Sequence, residues 1–301
     1  MSYALLFAGQ GLQHPGMLPW LVEDDAVRRV QAVVGADWRT RLADRAWAGR
    51  NAHAQPLLTG LSLAAWAQLA PLLPAAPAAM AGYSVGELAA FAAAGAFDAA
   101  TALALSIERA AWMDRCAASQ STGLLGVSGW SGPAFEAWLQ RFGLVVAIRN
   151  GVDSVVAGGL QSVLPAAAEA AQQQGAHCTL LNVQVASHTP WMAEAARGFA
   201  RLIAPMAFSP VRGWLFSNAA GRVASVPQLK QALATQIDHT VRWDECMDAI
   251  AGRQVACVLE VGPGQALARL WSQRHPGIPA RSADDFRSAR AVADWIARHG
   301  G

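Results

Sequence analysis

Ala78-Ala79-Met80-Ala81-Gly82-Tyr83-Ser84-Val85-Gly86-Glu87-Leu88-Ala89-Ala90 is the stretch whose reading decides the fold. A short apolar run, Ala78 to Ala81, leads into a serine between two glycines, and the helix-forming run Glu87 to Gly95 follows. Strand, tight turn and helix are the setting that a Gly-x-Ser-x-Gly nucleophile elbow requires. Gly82 and Gly86 carry no Cβ, so the backbone can turn sharply and pack closely beneath the serine. Ser84 then projects from the turn beside the amide of Val85, at a helix N-terminus that favours developing negative charge. The same five residues also fit a Gly-Ser turn that caps an ordinary helix, so the rest of the chain has to decide.

With 301 residues, 53% of them hydrophobic, the chain can build one large core or a core with a smaller inserted domain. A formal charge of +2 with 15% charged residues leaves no basic stripe for nucleic acid and no acidic tail. Lys230 is the only lysine and lies in a polar, helix-like stretch, Gln228 to Thr235. A Gly-x-x-x-x-Gly-Lys phosphate loop is therefore excluded, and a buried Schiff-base lysine has no candidate. Cys116, Cys178, Cys246 and Cys257 are scattered and read as buried thiols of a reducing compartment. The histidines show no His-x-x-x-His spacing, so no metal site is expected. From Asn51 to Gly86 there is no charged side chain, but Pro56, Pro71, Pro74 and Pro77 cut the run. Its longest piece, Leu57 to Ala70, falls short of the roughly 20 residues a spanning helix needs, which predicts a buried helix, a Pro-rich connector and no membrane partner. Met1 to Phe7 has no basic region or cleavage pattern and reads as a first strand, so a cytoplasmic location is expected.

Tyr3 to Phe7, ending in Ala8-Gly9-Gln10-Gly11, has the pattern of a buried parallel strand feeding a glycine loop that can present backbone amides. Asp24 to Gly49 reads as surface helices. In the predicted helix Ala99 to Cys116, the residues Ala102, Leu105, Arg109 and Trp112 recur at spacings of three and four, which puts Arg109 on an apolar stripe. Such an arginine must find an anion or reach out to water. From Gly123 to Val185 the predicted order is strand 124–127, helix 133–141, strand 144–148, strand 152–157, helix 163–174 and strand 178–183, the βαββαβ order of a ferredoxin-like unit. His188 stands before an Ala-rich helix, Trp191 to Ile203, where Thr189-Pro190 enforces an extended entry. Taken alone, it fits a cap or a satisfied core histidine as well as a catalyst. Strands at Val211–Ser217 and Val255–Val261 and helices at 227–237, 245–251, 265–274 and 289–299 complete the reading.

Gly9-Gln10-Gly11 after the first strand, the Ser84 elbow with Arg109 in the next helix, and Ser187-His188 after a βαββαβ insert together resemble the malonyl-CoA:acyl-carrier-protein transacylase family. Gly123-Leu124-Leu125, Asn150-Gly151, Val156-Ala157-Gly158, Val241-Arg242-Trp243 and Glu260-Val261-Gly262-Pro263-Gly264 are further matches, and the resemblance runs to about Arg274. It implies an α/β fold: an α/β-hydrolase-like large subdomain with a parallel sheet (residues 1–122 and 187–301) and an inserted ferredoxin-like small subdomain (residues 123–186). It also implies Ser84 as nucleophile and His188 as general base, oriented by a backbone carbonyl that the match places at Arg242. The amides of Gln10 and Val85 would form the oxyanion hole. Arg109 would grip the malonyl carboxylate, with Tyr83 and Asn150 on the substrate side. The substrate would be malonyl-CoA, the partner an acyl carrier protein bearing phosphopantetheine, and no bound cofactor would be needed.

Two departures from the family pattern stand out. Ala8 replaces the usual proline, and Tyr83 replaces the usual histidine before the nucleophile. Departures at the second position are associated with the acyltransferase (epsilon) subunit of biotin-independent malonate decarboxylase, which loads a dedicated carrier subunit. Ser187 before the histidine is compatible with malonyl and with methylmalonyl groups. The competing reading is a serine esterase or thioesterase of the α/β-hydrolase class, whose late histidine would be His275 or His299 with an acid such as Asp238 or Asp248.

Overall fold

The computed structural model describes residues 2–73, 75–183 and 185–301, with Ser119 described by its backbone alone. Met1 and Pro74, on which the N-terminal and connector readings drew, and Gln184 lie outside the described residues. The apolar run Tyr3–Phe7 becomes a strand buried at every position, because it lies inside a sheet covered on both faces. Tyr3, Leu5 and Phe7 point into one core, and Ala4 and Leu6 into another, as the two-residue repeat of a strand requires. The sheet runs Ala280–Ser282, Cys257–Val261, Tyr3–Phe7, Ala79–Gly82, Trp214–Ser217 and Gly221–Val223. The first five strands are parallel and the last is antiparallel.

A second, smaller sheet has the order His177–Leu180, Thr122–Ser128, Ser154–Leu160, Val145–Gly151, all antiparallel, the spatial order of a ferredoxin-like unit. Helices Pro133–Phe142 and Leu164–Gln172 pack on it through Trp138, Leu139 and Ala167 against Leu125 and Ala157. The fold is thus α/β, a mostly parallel sheet with a smaller ferredoxin-like one.

Several elements differ from the sequence reading. A two-residue strand, Val241–Arg242, joins the small sheet parallel to Val145–Gly151, although it comes from far beyond the expected insert. Two residues carry no periodicity to read. Gly221–Val223 and Ala280–Ser282 escaped for the same reason, as three-residue edge strands. The buried helix spans Asn51–Leu69, so it starts before Leu57 and continues through Pro56. An interior proline costs about 3 kcal/mol; burial of Leu57, Leu58 and Leu61 offsets it. None of the described helices is long and apolar enough to cross a membrane.

Candidate active site

The strand Ala79–Gly82 ends in the turn that carries Ser84, and the helix Gly86–Ala93 leaves it. Ser84 has φ +54, a left-handed conformation that a non-glycine residue adopts only where its surroundings enforce it. The two glycines are the enforcement. A Cβ on Gly82 would lie 2.1 Å from the Gly86 carbonyl, and one on Gly86 would lie 2.3 Å from the Phe7 oxygen. Asn218, just past the C-terminal end of the neighbouring strand Trp214–Ser217, fastens the turn. Its Oδ1 accepts from the Ser84 amide (2.8 Å) and its Nδ2 donates to the Gly82 carbonyl (2.7 Å). Its own amide donates to the buried carboxyl of Glu87, which burial pushes up to about 7. The C-terminal ends of parallel strands are where an α/β sheet collects its functional side chains.

Ser84 Oγ lies 2.7 Å from His188 Nε2. His188 is buried with φ +63, and its amide donates to the Ile237 carbonyl (2.9 Å). Its Nδ1 lies 2.5 Å from the carbonyl oxygen of Gln236. A carbonyl can only accept, so Nδ1 carries the proton and Nε2 presents a lone pair to the serine hydroxyl. Burial, reinforced by the nearby Arg109 charge, lowers His188 to about 3, so the imidazole is neutral.

The orienting carbonyl belongs to Gln236, which corrects the expected assignment to Arg242. Gln236 follows the helix Val226–Thr235, where the last carbonyls have no intrahelical partner and carry partial negative charge. Arg242 is used elsewhere. Its backbone pairs with Arg149 in the small sheet and donates to Asn218 O (3.0 Å), and its guanidinium meets Ala219 O and Glu245.

Arg109 is 2% exposed. Its Nη1 donates to Gln55 Oε1 (2.8 Å), its Nη2 donates to Gln236 Oε1 (2.8 Å), and Nη2 lies 3.4 Å from Ser84 Oγ. Two neutral amides hold this cation, and its Nε has no hydrogen-bond partner among the described residues. Burial lowers it to about 10, partly countered by Glu87, so it remains charged at neutral pH. No acidic side chain forms an ion pair with this guanidinium among the described residues, so its charge is available to an anion.

The amides of Gln10 and Val85 donate to no acceptor among the described residues. A Cβ on Gly9 would lie 2.7 Å from the Tyr83 carbonyl, so the Gly9-Gln10-Gly11 loop is pressed against the elbow. Gln10 Nε2 donates to Gly49 O (3.0 Å), which fixes the loop from the other side. Beside it opens a cleft of about 800 Å³ lined by Gln10, Leu12, Tyr83, Asn150, Leu181 and Leu270 among others; Ser84 is not in its lining. Tyr83 and Asn150 meet each other: the phenol donates to Asn150 Oδ1 (3.1 Å).

The structure therefore brings together Ser84, His188, Arg109, Gln10 and Val85, sets Tyr83 and Asn150 at the edge, and leaves Arg242 out. The residues that the hydrolase reading required are elsewhere. The part-buried His275 lies 3.2 Å from Asp248, and His299 stacks on Trp295. Gln55, Asn218 and Gln236 were missed. Gln55 had a signal, as a polar residue inside an uncharged run that packs as core; Asn218 and Gln236 follow a strand and a helix and had none.

The acyl transferase domain family matches residues 4–301. The malonyl CoA-acyl carrier protein transacylase of Mycobacterium tuberculosis (strain H37Rv) is 34% identical over 93% of this chain and 95% of that protein. A crystal structure of the M. tuberculosis transacylase is similar with a TM-score of 0.85 and 32% identity, covering 97% of this chain and 100% of that one. A malonyl-transacylase solved in complex with a type II polyketide synthase acyl-carrier protein gives a TM-score of 0.87 at 25% identity, covering 97% and 99%.

Proposed function

Because this chain belongs to the acyl transferase family, we propose that it moves a malonyl group from malonyl-CoA, through an ester on Ser84, to the phosphopantetheine thiol of an acyl carrier protein. The observation that carries the reading is Arg109, a buried guanidinium with no ion-pair partner among the described residues and 3.4 Å from the nucleophilic oxygen, where the free carboxylate of the malonyl group would pair. Ser84 Oγ attacks the thioester carbonyl as its proton passes to His188 Nε2, and the Gln10 and Val85 amides hold the oxyanion. The C–S bond then breaks and His188 returns the proton to the CoA sulfur. In the second half the carrier thiol gives its proton to His188 and its sulfur attacks the ester carbonyl; the bond to Ser84 Oγ then breaks and His188 returns the proton to that oxygen. Thioester to ester to thioester is nearly isoenergetic, so the cycle runs on group transfer alone.

Transfer of labelled malonate from malonyl-CoA to a holo acyl carrier protein tests the reading. Ser84→Ala and His188→Ala should each abolish loading; retention of loading in both means that the chemistry lies elsewhere. Tyr83, in place of the family's usual histidine, favours a second reading of the acceptor, the carrier subunit of malonate decarboxylase. Loading rates with the two carriers separate these.

A further inference from the structure

Tyr83 and Asn150 come from different sheets. Tyr83 follows the strand Ala79–Gly82 of the large sheet and directly precedes the nucleophile, whereas Asn150 lies in Val145–Gly151 of the small one. Their hydrogen bond spans the boundary, and both line the cleft beside the elbow. The Tyr83 ring is fixed on two further sides. Its edge meets Trp243 with centroids 5.2 Å apart, and a Cβ on Gly9 would come within 2.9 Å of Tyr83 Cδ1. Elsewhere Val145–Gly151 is tied to the large body by its pairing with Val241–Arg242, by Thr240 Oγ1 donating to Val146 O (2.7 Å), by Arg149 to Asp244 (2.7 Å) and Glu245, and by Ala147 and Ile148, which share a core with Ala4 and Leu6. Those two ion pairs are part-exposed and weak. Among these ties of Val145–Gly151, the phenol–amide bond is the one whose two partners both line the cleft.

We propose that Tyr83 and Asn150 form a clasp that holds the two sheets at a fixed separation beside Ser84, so that a thiol reaches the acyl-serine while water is kept from it. Both are positioning residues: the tyrosine hydroxyl is spent on Asn150 and not on the acyl group. The step the clasp suppresses is hydrolysis. A water oxygen attacks the malonyl ester carbonyl, the bond from that carbon to Ser84 Oγ breaks, Ser84 regains its proton and malonate leaves.

The inference rests on the acyl-serine reading above, and the experiment separates the two. The full chain is loaded with malonyl-CoA, freed of CoA and mixed with pantetheine as acceptor; malonyl-pantetheine and free malonate are then quantified. Tyr83→Phe and Asn150→Ala should each raise the hydrolysed fraction relative to transfer by roughly 2- to 10-fold, the range for loss of one neutral hydrogen bond. The double variant should do no worse than either single one, because both remove the same bond. Effects that multiply in the double variant, or an unchanged ratio in Tyr83→Phe, overturn the clasp. A wild-type protein that forms no acyl-serine overturns the functional reading instead. A variant that is merely unstable lowers total loading without moving the ratio between the two products, and that result also counts against the clasp.

Discussion

Replacing Arg109 by alanine removes the guanidinium that lies 3.4 Å from the nucleophilic oxygen, and the structure fixes what should follow. If the malonyl carboxylate pairs with this guanidinium, losing one partner of a buried ion pair costs roughly 3–5 kcal/mol. At about 1.4 kcal/mol per decade that is between two and four powers of ten in kcat/KM for malonyl-CoA. Because Ser84 is only part-buried, the lower end, a loss of about 100-fold, is expected. Acetyl-CoA has no carboxylate to lose. It should gain, because the Arg109 charge is one of the causes that, after burial, hold His188 down. With Arg109 gone, His188 becomes a stronger base for any acyl donor. The position of His188 also sets the pH dependence. In the wild type His188 is held at about 3, so its neutral, basic form is present throughout pH 5–8 and acylation shows no histidine limb there. In Arg109→Ala the value rises, and a limb in which the rate falls as pH drops should move toward the neutral range. The assay is stopped-flow CoA release with the two donors across that range. An unchanged malonyl-to-acetyl ratio would refute the clamp, and an unmoved limb would refute the coupling to His188.

Other perturbations have defined outcomes. Gly86→Ala places a methyl group 2.3 Å from the Phe7 oxygen, so it should destabilise by about 1–3 kcal/mol or more and abolish acylation, read by thermal unfolding and CoA release. Asn218→Ala removes the bonds to Ser84 N and Gly82 O; a slower acylation rate with a lower Tm is expected, and an unchanged rate would show that the elbow holds without it. Glu260 is buried, its Oε2 accepts from Ala268 N (2.9 Å), and burial pushes its carboxyl up to about 8. A carboxyl raised in the folded state contributes stability that is full below its unfolded value of about 4.3 and is lost as pH rises toward 8. Glu260→Gln, which cannot ionise, should therefore flatten the decline of the unfolding free energy between pH 5 and 8, measured by denaturant titration, by an amount on the order of a few kcal/mol.

Much of this site is legible in the sequence because its parts are local. The elbow is written in five consecutive residues, and Gly82 and Gly86 are required because a Cβ on either would lie 2.1 or 2.3 Å from neighbouring backbone atoms. Arg109 declares itself as a charge on an apolar stripe, and the βαββαβ order declares the small sheet. The rest is relational. Gln236 serves the site through its carbonyl for His188, its Oε1 for Arg109 and its Nε2 for Ser84 O (2.8 Å), none of which has a local pattern. Where a helix ends in space decides which carbonyl faces the histidine, and the family resemblance pointed instead to Arg242. Val241–Arg242 is too short for periodicity to announce that it extends the small sheet.

The most direct test of the central claim is the intact mass of the protein after brief incubation with malonyl-CoA and no acceptor. A single malonyl adduct on the peptide carrying Ser84, absent in Ser84→Ala and discharged by an added phosphopantetheine thiol, is the predicted result. Release of CoA with malonate free in solution and no adduct, even at short times, would contradict transfer and leave a hydrolase.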